Sequence, residues 1–496
     1  PNGNGYGDVN YQSRWWGTEL YTPTANGLLI RTGGGSVKIS AGVYAATSLS
    51  GYTEARALSI INSTLDLGAG AFVADGMVAN NMGSASNYTS SFGIDSSTIN
   101  ATGGISFWGS NNATVGNNQA IHASGTITLI AGTSGAVSIS ANQSSNQALT
   151  IDSTFAVTGN LTLTASAGKE IAINSALTST GTITATAPKV TVAANLQTSG
   201  SAKSITLKST TDILQTSGAI TTQGGAVTLN SDTDAATTLG GGVQTARGTS
   251  ITTNGGALTI SGGANVSTGY AKGTANTAYR GINIQGSIST GAGNVIMRGE
   301  DAATEDGSTV AWAWGAGVML TDDSSLTTTS GTVTLTGVTN SDNTSVNHRH
   351  AGVMIGMEYF AGVQQASYAD ASITTGTGNI TISGTGANVA YRDGVTFNKS
   401  SISSTSGAIS IDGRTSRTDA WDINFGNSRN GSSITTGGAL TFTGDTSGAA
   451  SMFNTSSISA GGALTLNVNK PTFTSMTMNG AGSKIIQHPT TATNFG

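Results

Sequence analysis

The chain has 496 residues, of which 9% are charged, with a net charge of −5, 70 glycines, 5 prolines and no cysteine. Glycine without a three-residue period excludes a collagen-like chain, and the lack of cysteine excludes a disulfide-rich scaffold. Low charge and low proline disfavour disorder, and abundant Gly, Ser, Thr and Asn disfavour helices, so a turn-rich β protein remains. No basic cluster is present that would favour binding to nucleic acid or to a membrane surface. The longest nearly apolar stretch, at 352–363, is too short to span a bilayer.

The first 25 residues break the pattern of the later chain and are rich in aromatic side chains. These are Tyr6, Tyr11, Trp15, Trp16 and Tyr21. Two hypotheses fit the segment 1–25. It caps strand edges that would otherwise pair with other chains, or it forms the junction with a neighbouring subunit or with a preceding domain.

Apolar residues and threonines alternate at a constant spacing in residues 26–260. Four consecutive copies lie 22 residues apart at Leu161, Ile183, Ile205 and Val227, and again at Leu163, Ala185, Leu207 and Leu229; Ile105 and Phe107 precede Ile127 and Leu129 by the same interval. Alternation of this kind is typical of a strand with one buried face, and its regular recurrence indicates stacked coils. We expect the leucines of this pattern to be buried, and Thr162, Thr206 and Thr228 to face outward.

Two more short apolar segments lie between successive copies, as EIAI, ALTSTG and TITA do in residues 170–185. The sequence therefore predicts an all-β fold, a right-handed parallel β-helix (β-solenoid) with three short strands per coil and coils of about 22–42 residues. Short coils are expected over 26–260. Residues 261–466 repeat the unit with long lateral loops: first strands read GINI, GVML, GVMI, GVTF, DINF and ASMF. Residues 467–496 are expected to form a terminal coil and a tail.

The repeated TG-x-[IVL]-T-[IL] units resemble the filamentous-haemagglutinin-like, β-strand-repeat surface proteins of bacteria, which include two-partner-secreted adhesins. The resemblance covers roughly residues 95–467. It implies an exported β-helical stalk that acts in adhesion or matrix formation, at the bacterial cell surface or outside the cell.

Motifs for catalysis or metal binding are absent from the sequence as a whole. His348 and His350 could face one side of a strand, but no further ligand lies at a telling spacing, so we expect two solvated loop histidines and no metal. Glycosidases need two carboxylates, and candidates are spread over many coils: Asp301, Glu305, Asp306, Asp322, Asp323, Asp370, Asp393, Asp419 and Asp422. We expect solvated loop charges and no cofactor.

The long loops before the first strands collect much of the charge and tryptophan of the C-terminal half. If the coils stack in register, these residues form one lateral stripe, at least partly exposed, that binds a glycan or a partner. The stripe comprises Tyr279, Arg280, Trp312, Trp314, His348, His350, Tyr391, Arg392 and Trp421. The alternative is that non-repeat residues simply collect in insertions.

These observations predict a non-enzymatic, extracellular β-helix that serves as a structural or adhesive rod in a bacterial filament, sheath or biofilm matrix. Its expected partners are further copies of itself, joined head to tail, or further repeats of a longer chain, and glycans. The alternative is a β-helical depolymerase or lyase that acts on polysaccharides. Ice binding is disfavoured because only one outward threonine recurs per strand.

Overall fold

Most described residues lie in β-strands or in the tight turns between them. The computed structural model describes residues 7–13, 18–20, 29–44, 54–79, 88–111, 118–124, 127–131, 136–143, 147–152, 154–166, 170–235, 240–277, 280–301, 315–321, 323–339, 350–356, 371–387, 392–426, 431–445, 449–454, 456–474, 477–480 and 484–487. Within these ranges the one helical element is a 3-10 turn at Ala275–Thr277. The chain divides into two compact units, the first made of Pro1–Ser209 and Ser217–Gln223 and the second of Thr210–Thr216 and Gly224–Gly496.

The strands of the first unit are short and evenly distributed. They are β1 (Gly7–Ser13), β2 (Thr18–Leu20), β3 (Leu29–Arg31), β4 (Val37–Tyr44), β5 (Glu54–Ile61), β6 (Thr64–Gly68), β7 (Phe72–Ala79), β8 (Tyr88–Asp95), β9 (Thr98–Ala101), β10 (Ile105–Asn111), β11 (Asn118–Ser124), β12 (Ile127–Ile130), β13 (Ala136–Gln143), β14 (Gln147–Ile151), β15 (Phe155–Thr158), β16 (Asn160–Ser166), β17 (Glu170–Ile173), β18 (Leu177–Ser179), β19 (Ile183–Ala187), β20 (Lys189–Val192), β21 (Leu196–Ser201), β22 (Ile205–Ser209) and, after one strand of the second unit, β24 (Ala219–Gln223).

The second unit continues the same element type. Its strands are β23 (Ile213–Gln215), β25 (Val227–Ser231), β26 (Val243–Thr245), β27 (Ser250–Thr252), β28 (Leu258–Gly262), β29 (Ala271–Lys272), β30 (Ile282–Ile284), β31 (Ser287–Gly291), β32 (Val295–Glu300), β33 (Ala316–Leu320), β34 (Ser325–Thr328), β35 (Val333–Val338), β36 (His350–Ile355), β37 (Ala371–Thr375), β38 (Ile380–Thr385), β39 (Arg392–Phe397), β40 (Ser400–Ser404), β41 (Ile409–Arg414), β42 (Trp421–Phe425), β43 (Ser433–Thr436), β44 (Leu440–Thr443), β45 (Ala450–Asn454), β46 (Ser457–Ala460), β47 (Leu464–Asn467), β48 (Pro471–Thr474), β49 (Thr477–Gly480) and β50 (Lys484–Gln487).

Within each unit the strands pair in parallel with the equivalent strand one coil later, which produces three sheets. In the first unit, sheet A runs β1-β4-β7-β10-β13-β16-β19-β22, sheet B runs β2-β5-β8-β11-β14-β17-β20, and sheet C runs β3-β6-β9-β12-β15-β18-β21-β24. In the second unit, sheet A runs β25-β28-β32-β35-β38-β41-β44-β47-β50, with β29 also paired to β32. Its sheet B runs β23-β26-β30-β33-β36-β39-β42-β45-β48, and its sheet C runs β27-β31-β34-β37-β40-β43-β46-β49. The predicted parallel β-solenoid with three strands per coil is confirmed.

The core consists of apolar side chains stacked in register between the sheets. In the first unit Leu163, Ala185 and Leu207 are aligned and fully buried, whereas Thr162 and Thr206 stay partly exposed, as predicted. Leu229 and Thr228 follow the same rule in the second unit. A longer buried row lies in sheet A of that unit, at Val227, Leu258, Val295, Val333, Ile380, Ile409, Leu440 and Leu464.

Glycines stack in a column at the turn that leads from sheet C to sheet A. An added Cβ at Gly331 would lie 1.9 Å from the carbonyl oxygen of Gly293, and one at Gly378 would lie 1.9 Å from that of Gly331. The hydroxyl of a threonine three residues earlier donates to each glycine carbonyl, at 2.7 Å for Thr328 and for Thr375. The repeated T-x-x-G pattern therefore reflects a turn in which backbones approach too closely for a side chain.

Two parts of the predicted register are wrong. Ile105 and Phe107 pair in β10 with Val137 and Ile139 of β13, so the earlier 22-residue match to β12 joined strands of different sheets. The described residues of the segment 1–25, which are 7–13 and 18–20, continue the repeat instead of breaking it, because β1 and β2 pair in register with β4 and β5. Coil lengths also vary more than expected, since Ser325 of sheet C pairs with Ser372, 47 residues later.

Candidate functional site

Few residues of the predicted stripe and junction have side chains that the structure describes. Arg280, His350, Arg392 and Trp421 are described, and Arg280 and Trp421 are partly exposed. The predictions for Tyr279, Trp312, Trp314, His348, Tyr391, Tyr6, Trp15, Trp16 and Tyr21 lie outside the described residues, and Tyr11 lies in β1 with its side chain outside the description.

His350 opens strand β36 and is 1% exposed, so its predicted place in a solvated loop is wrong. Its Nδ1 lies 2.8 Å from Oδ2 of Asp301, which is also buried. An added Cβ at Gly315 would lie 2.1 Å from that same Nδ1, so only glycine leaves room for the imidazole. The histidine is therefore fixed between its carboxylate partner and a backbone segment.

Arg392 is completely buried, which corrects the prediction that it lies on an exposed face. It begins β39 and is aligned with His350, one coil away, while its neighbour Asp393 is aligned with Ala351. The charged residues of the long loops before the sheet B strands are therefore not all exposed at the surface. Some of them enter the start of sheet B and become part of the interior.

Asp393 connects two coils through its carboxylate. Its Oδ1 accepts the backbone N–H of Trp421 at 2.9 Å, and its Oδ2 accepts the Asn424 amide at 3.2 Å and the Thr396 hydroxyl at 3.0 Å. A carboxylate can accept about four hydrogen bonds, and these three contacts use most of that capacity. Asp393 is therefore committed to holding the next coil in register.

Asp422 repeats this arrangement one coil later. It accepts the backbone N–H of Thr415 at 2.8 Å and that of Asp445 at 2.9 Å. Burial raises the pKa of Asp422 to about 7, although the two backbone hydrogen bonds lower it. We call Asp301, His350, Arg392, Asp393 and Asp422 the polar corner, a set of buried side chains that lie between the strands of sheet A and those of sheet B or at the start of sheet B strands.

Asp212 is an equivalent residue that the sequence reasoning missed. Its Oδ1 accepts the N–H of Gly242 at 2.9 Å and the Thr274 hydroxyl at 2.8 Å, and its Oδ2 accepts the Asn276 amide at 2.7 Å. The signal was available, because Asp212 directly precedes strand β23 as Asp422 immediately precedes Ile423 of β42. A carboxylate at the start of a first strand predicts an inter-coil hydrogen bond.

Other charged residues of the predicted loops pair locally. Arg414 contacts Asp412 and Arg417 contacts Asp419 with two hydrogen bonds each, at 2.7–3.0 Å. The hydrogen bonds with Arg417 lower the pKa of Asp419. Such exposed pairs contribute little to stability. Among the aromatic residues of the predicted stripe, Trp421 is the one whose side chain the structure describes, and it is partly exposed.

Within the described ranges, no group of three or more metal-ligating side chains comes together, and no helix there is long and apolar enough to cross a membrane. Compared with protein families, with curated proteins and with solved structures, the chain matches none.

Proposed function

We propose that this protein is an extracellular, non-enzymatic scaffold, a β-solenoid component of a bacterial filament, sheath or biofilm matrix. The observation that carries the proposal is that buried aspartates form hydrogen bonds with the backbone of neighbouring coils. Asp212, Asp393 and Asp422 each accept the backbone N–H of a neighbouring coil. Carboxylates committed to the main chain hold coils in register, whereas a glycosidase needs carboxylates that reach a sugar.

The stacked core supports the same role. Each coil satisfies its backbone groups through the next coil and buries its aliphatic residues against it, so added coils extend the structure without changing its cross-section. Phenylalanines continue this stacking in sheet B of the second unit, where Phe397, Phe425, Phe453 and Phe473 follow one another with ring centroids 5.2, 6.2 and 5.4 Å apart. Repetition of this kind suits a mechanical role.

Self-association is the second part of the proposal. Among the described strands, β1, β2 and β3 pair on one side only, with β4, β5 and β6. In the second unit, β48, β49 and β50 pair, among the described strands, only with β45, β46 and β47. Strand edges of this kind accept further strands, and a head-to-tail contact between copies is heterologous and propagates.

A removable fusion that covers one terminus of the chain tests whether copies associate head to tail. A compact protein fused directly before Pro1, with a protease site between, should keep the chain in short particles under electron microscopy. Cleavage should restore filaments, and a fusion after Gly496 should act in the same way. Assembly that is indifferent to both fusions would contradict head-to-tail association. Release of reducing ends from bacterial polysaccharides by the purified chain would favour the enzymatic alternative.

A further inference from the structure

Asp232 and Lys272 form an unusual pair in the second unit, away from the polar corner. Asp232 follows strand β25 with a positive φ of 51° and is completely buried. The ammonium Nζ of Lys272 lies 3.6 Å from its Oδ2, longer than a hydrogen bond. Neither carboxylate oxygen accepts a hydrogen bond from the part of the chain that the structure describes. A buried carboxylate in this state is poorly compensated.

The backbone around the pair is held from both sides. Lys272 exchanges two backbone hydrogen bonds with Gly241, at 2.8 and 3.0 Å, while the Asp232 N–H donates to the carbonyl of Thr211. Lys272 is also aligned with Glu300 at the end of β32, and the N–H of Gly273 donates to the Glu300 carbonyl at 2.9 Å. Only the flexible lysine side chain needs to move for its nitrogen to reach the carboxyl carbon.

The electrostatics favour a proton on the carboxyl group. Burial raises the pKa of Asp232 to about 6, against the lowering effect of Lys272, and the charges of Asp234 and Glu300 raise it further. Condensation uses the deprotonated amine and the protonated carboxyl group, which the pair reaches when one proton passes from the ammonium to the carboxylate. A neutral lysine amine is a nucleophile.

We propose that Lys272 and Asp232 join in an intramolecular isopeptide bond. The Nζ lone pair of Lys272 attacks Cγ of Asp232, the new N–C bond forms, and the C–OH bond of the protonated carboxyl group breaks. One proton leaves the nitrogen and joins the departing hydroxyl, so that one water is released and no oxidant is needed. Glu300, which is aligned with Lys272 where β29 pairs with β32, is the nearest acidic residue in the sheet register to relay that proton, and it is unchanged at the end.

The product suits the site better than the ion pair does. A neutral amide replaces the buried carboxylate of Asp232 and the partly exposed ammonium of Lys272. The bond closes the chain from the end of β25 to the end of β29. Cross-links that close long loops restrict the unfolded chain. The link would fasten the loop after β28 to the coil before it, which suits a chain exposed to mechanical load.

The intact mass of the full chain tests the proposal. Wild type should weigh less than its sequence by one water, and digestion should give one branched peptide that joins the Asp232 and Lys272 segments. Lys272→Arg keeps the cation but should have the full sequence mass, as should Asp232→Ala. Glu300→Gln should leave a measurable uncondensed fraction in the folded protein.

The pair Lys189–Glu170 is a matched internal control, because its nitrogen and oxygen also lie 3.6 Å apart while its carboxylate is partly exposed. Its two peptides should be recovered separately. A wild-type chain of full mass would overturn the proposal. So would a water loss that maps to a cyclic imide at Asp232 with Lys272 still reactive toward amine reagents. The branched wild-type peptide decides the question even if a variant fails to fold.

Discussion

Buried polar residues such as His350 and Arg392 distinguish this molecule from a solenoid with a purely apolar core. His350 and Arg392 sit in a sequence context of loops and charges, which indicated exposure. The partner that explains the burial of His350 is Asp301, 49 residues away, and no local pattern connects the two. Sequence reasoning finds residues that repeat, whereas these residues occur once each and depend on a tertiary contact. The role of Asp212 could have been predicted from its place directly before β23, and that of Asp422 from its place directly before Ile423 in β42.

Gly315→Ala tests the fixed position of His350. The added Cβ would meet Nδ1 at 2.1 Å, so the imidazole must move away from Asp301. We expect the free energy of unfolding to fall by about 1–3 kcal/mol, as overpacking does. In a His350→Ala background the same change should cost clearly less, because the clashing ring is gone. Equal costs in both backgrounds, measured by urea unfolding, would contradict the packing.

Asp422→Asn tests the raised pKa of that buried carboxyl group, about 7 against an ordinary 3.8. The folded protein holds this proton where the unfolded chain has lost it, so its contribution to stability is present below about pH 4 and is lost as pH rises to about 7. The slope is at most about 1.4 kcal/mol per pH unit.

The asparagine variant should lack this contribution. The difference in unfolding free energy between variant and wild type should therefore shift in favour of the variant as pH rises from 4 to 7. A difference that is constant over this range, or that shifts toward the wild type, would show that the pKa of Asp422 is not raised in the folded protein.

Trp421→Ala tests the predicted binding stripe. The indole is partly exposed, whereas the backbone N–H that contacts Asp393 is kept in the variant. Loss of one aromatic anchor should weaken glycan binding about tenfold or more, with little change in thermal stability. Trp108, an exposed tryptophan of the first unit, is the matched control. Equal effects of Trp108→Ala and Trp421→Ala on a glycan array would contradict a stripe.

Strands were the most predictable elements of this chain. Alternation of aliphatic residues with threonine located the strands from β17 to β22, and the GVML-type segments located sheet B from β30 to β45. The error at β10 has a physical cause: strands of sheets A and C show the same alternation, so spacing alone cannot distinguish them. The segment 1–25 was misjudged because β1 and β2 lack the alternation of aliphatic residues with threonine that marks the later strands.

Leu207→Asp tests the stacked core at the level of one strand. Leu207 is fully buried beneath Ala185, so the variant places an unpaired charge in the interior and should lose at least about 3 kcal/mol. The matched control is Thr206→Asp on the outward face of the same strand, which should cost less than about 1 kcal/mol. Hydrogen exchange of the backbone amides in β19 and β22 measures the loss of stability in each of the two variants. Similar protection in the two variants would refute the assigned faces.

At the scale of the whole molecule, each unit is a stack of coils in which core, hydrogen bonds and charges all connect one coil with the next. Stability in such a stack comes from contacts between neighbouring coils, so each coil depends on the next one. The fold follows from composition and repeat alone. The partners do not, since they depend on edges and loops that the repeat does not specify.

Electron microscopy of the purified chain over a range of concentrations tests the scaffold proposal most directly. We expect filaments that lengthen with concentration, with one polarity and an axial repeat set by a single copy, and that shorten when the N-terminal fusion is present. Particles of one constant size at every concentration, with and without the fusion, would contradict the account.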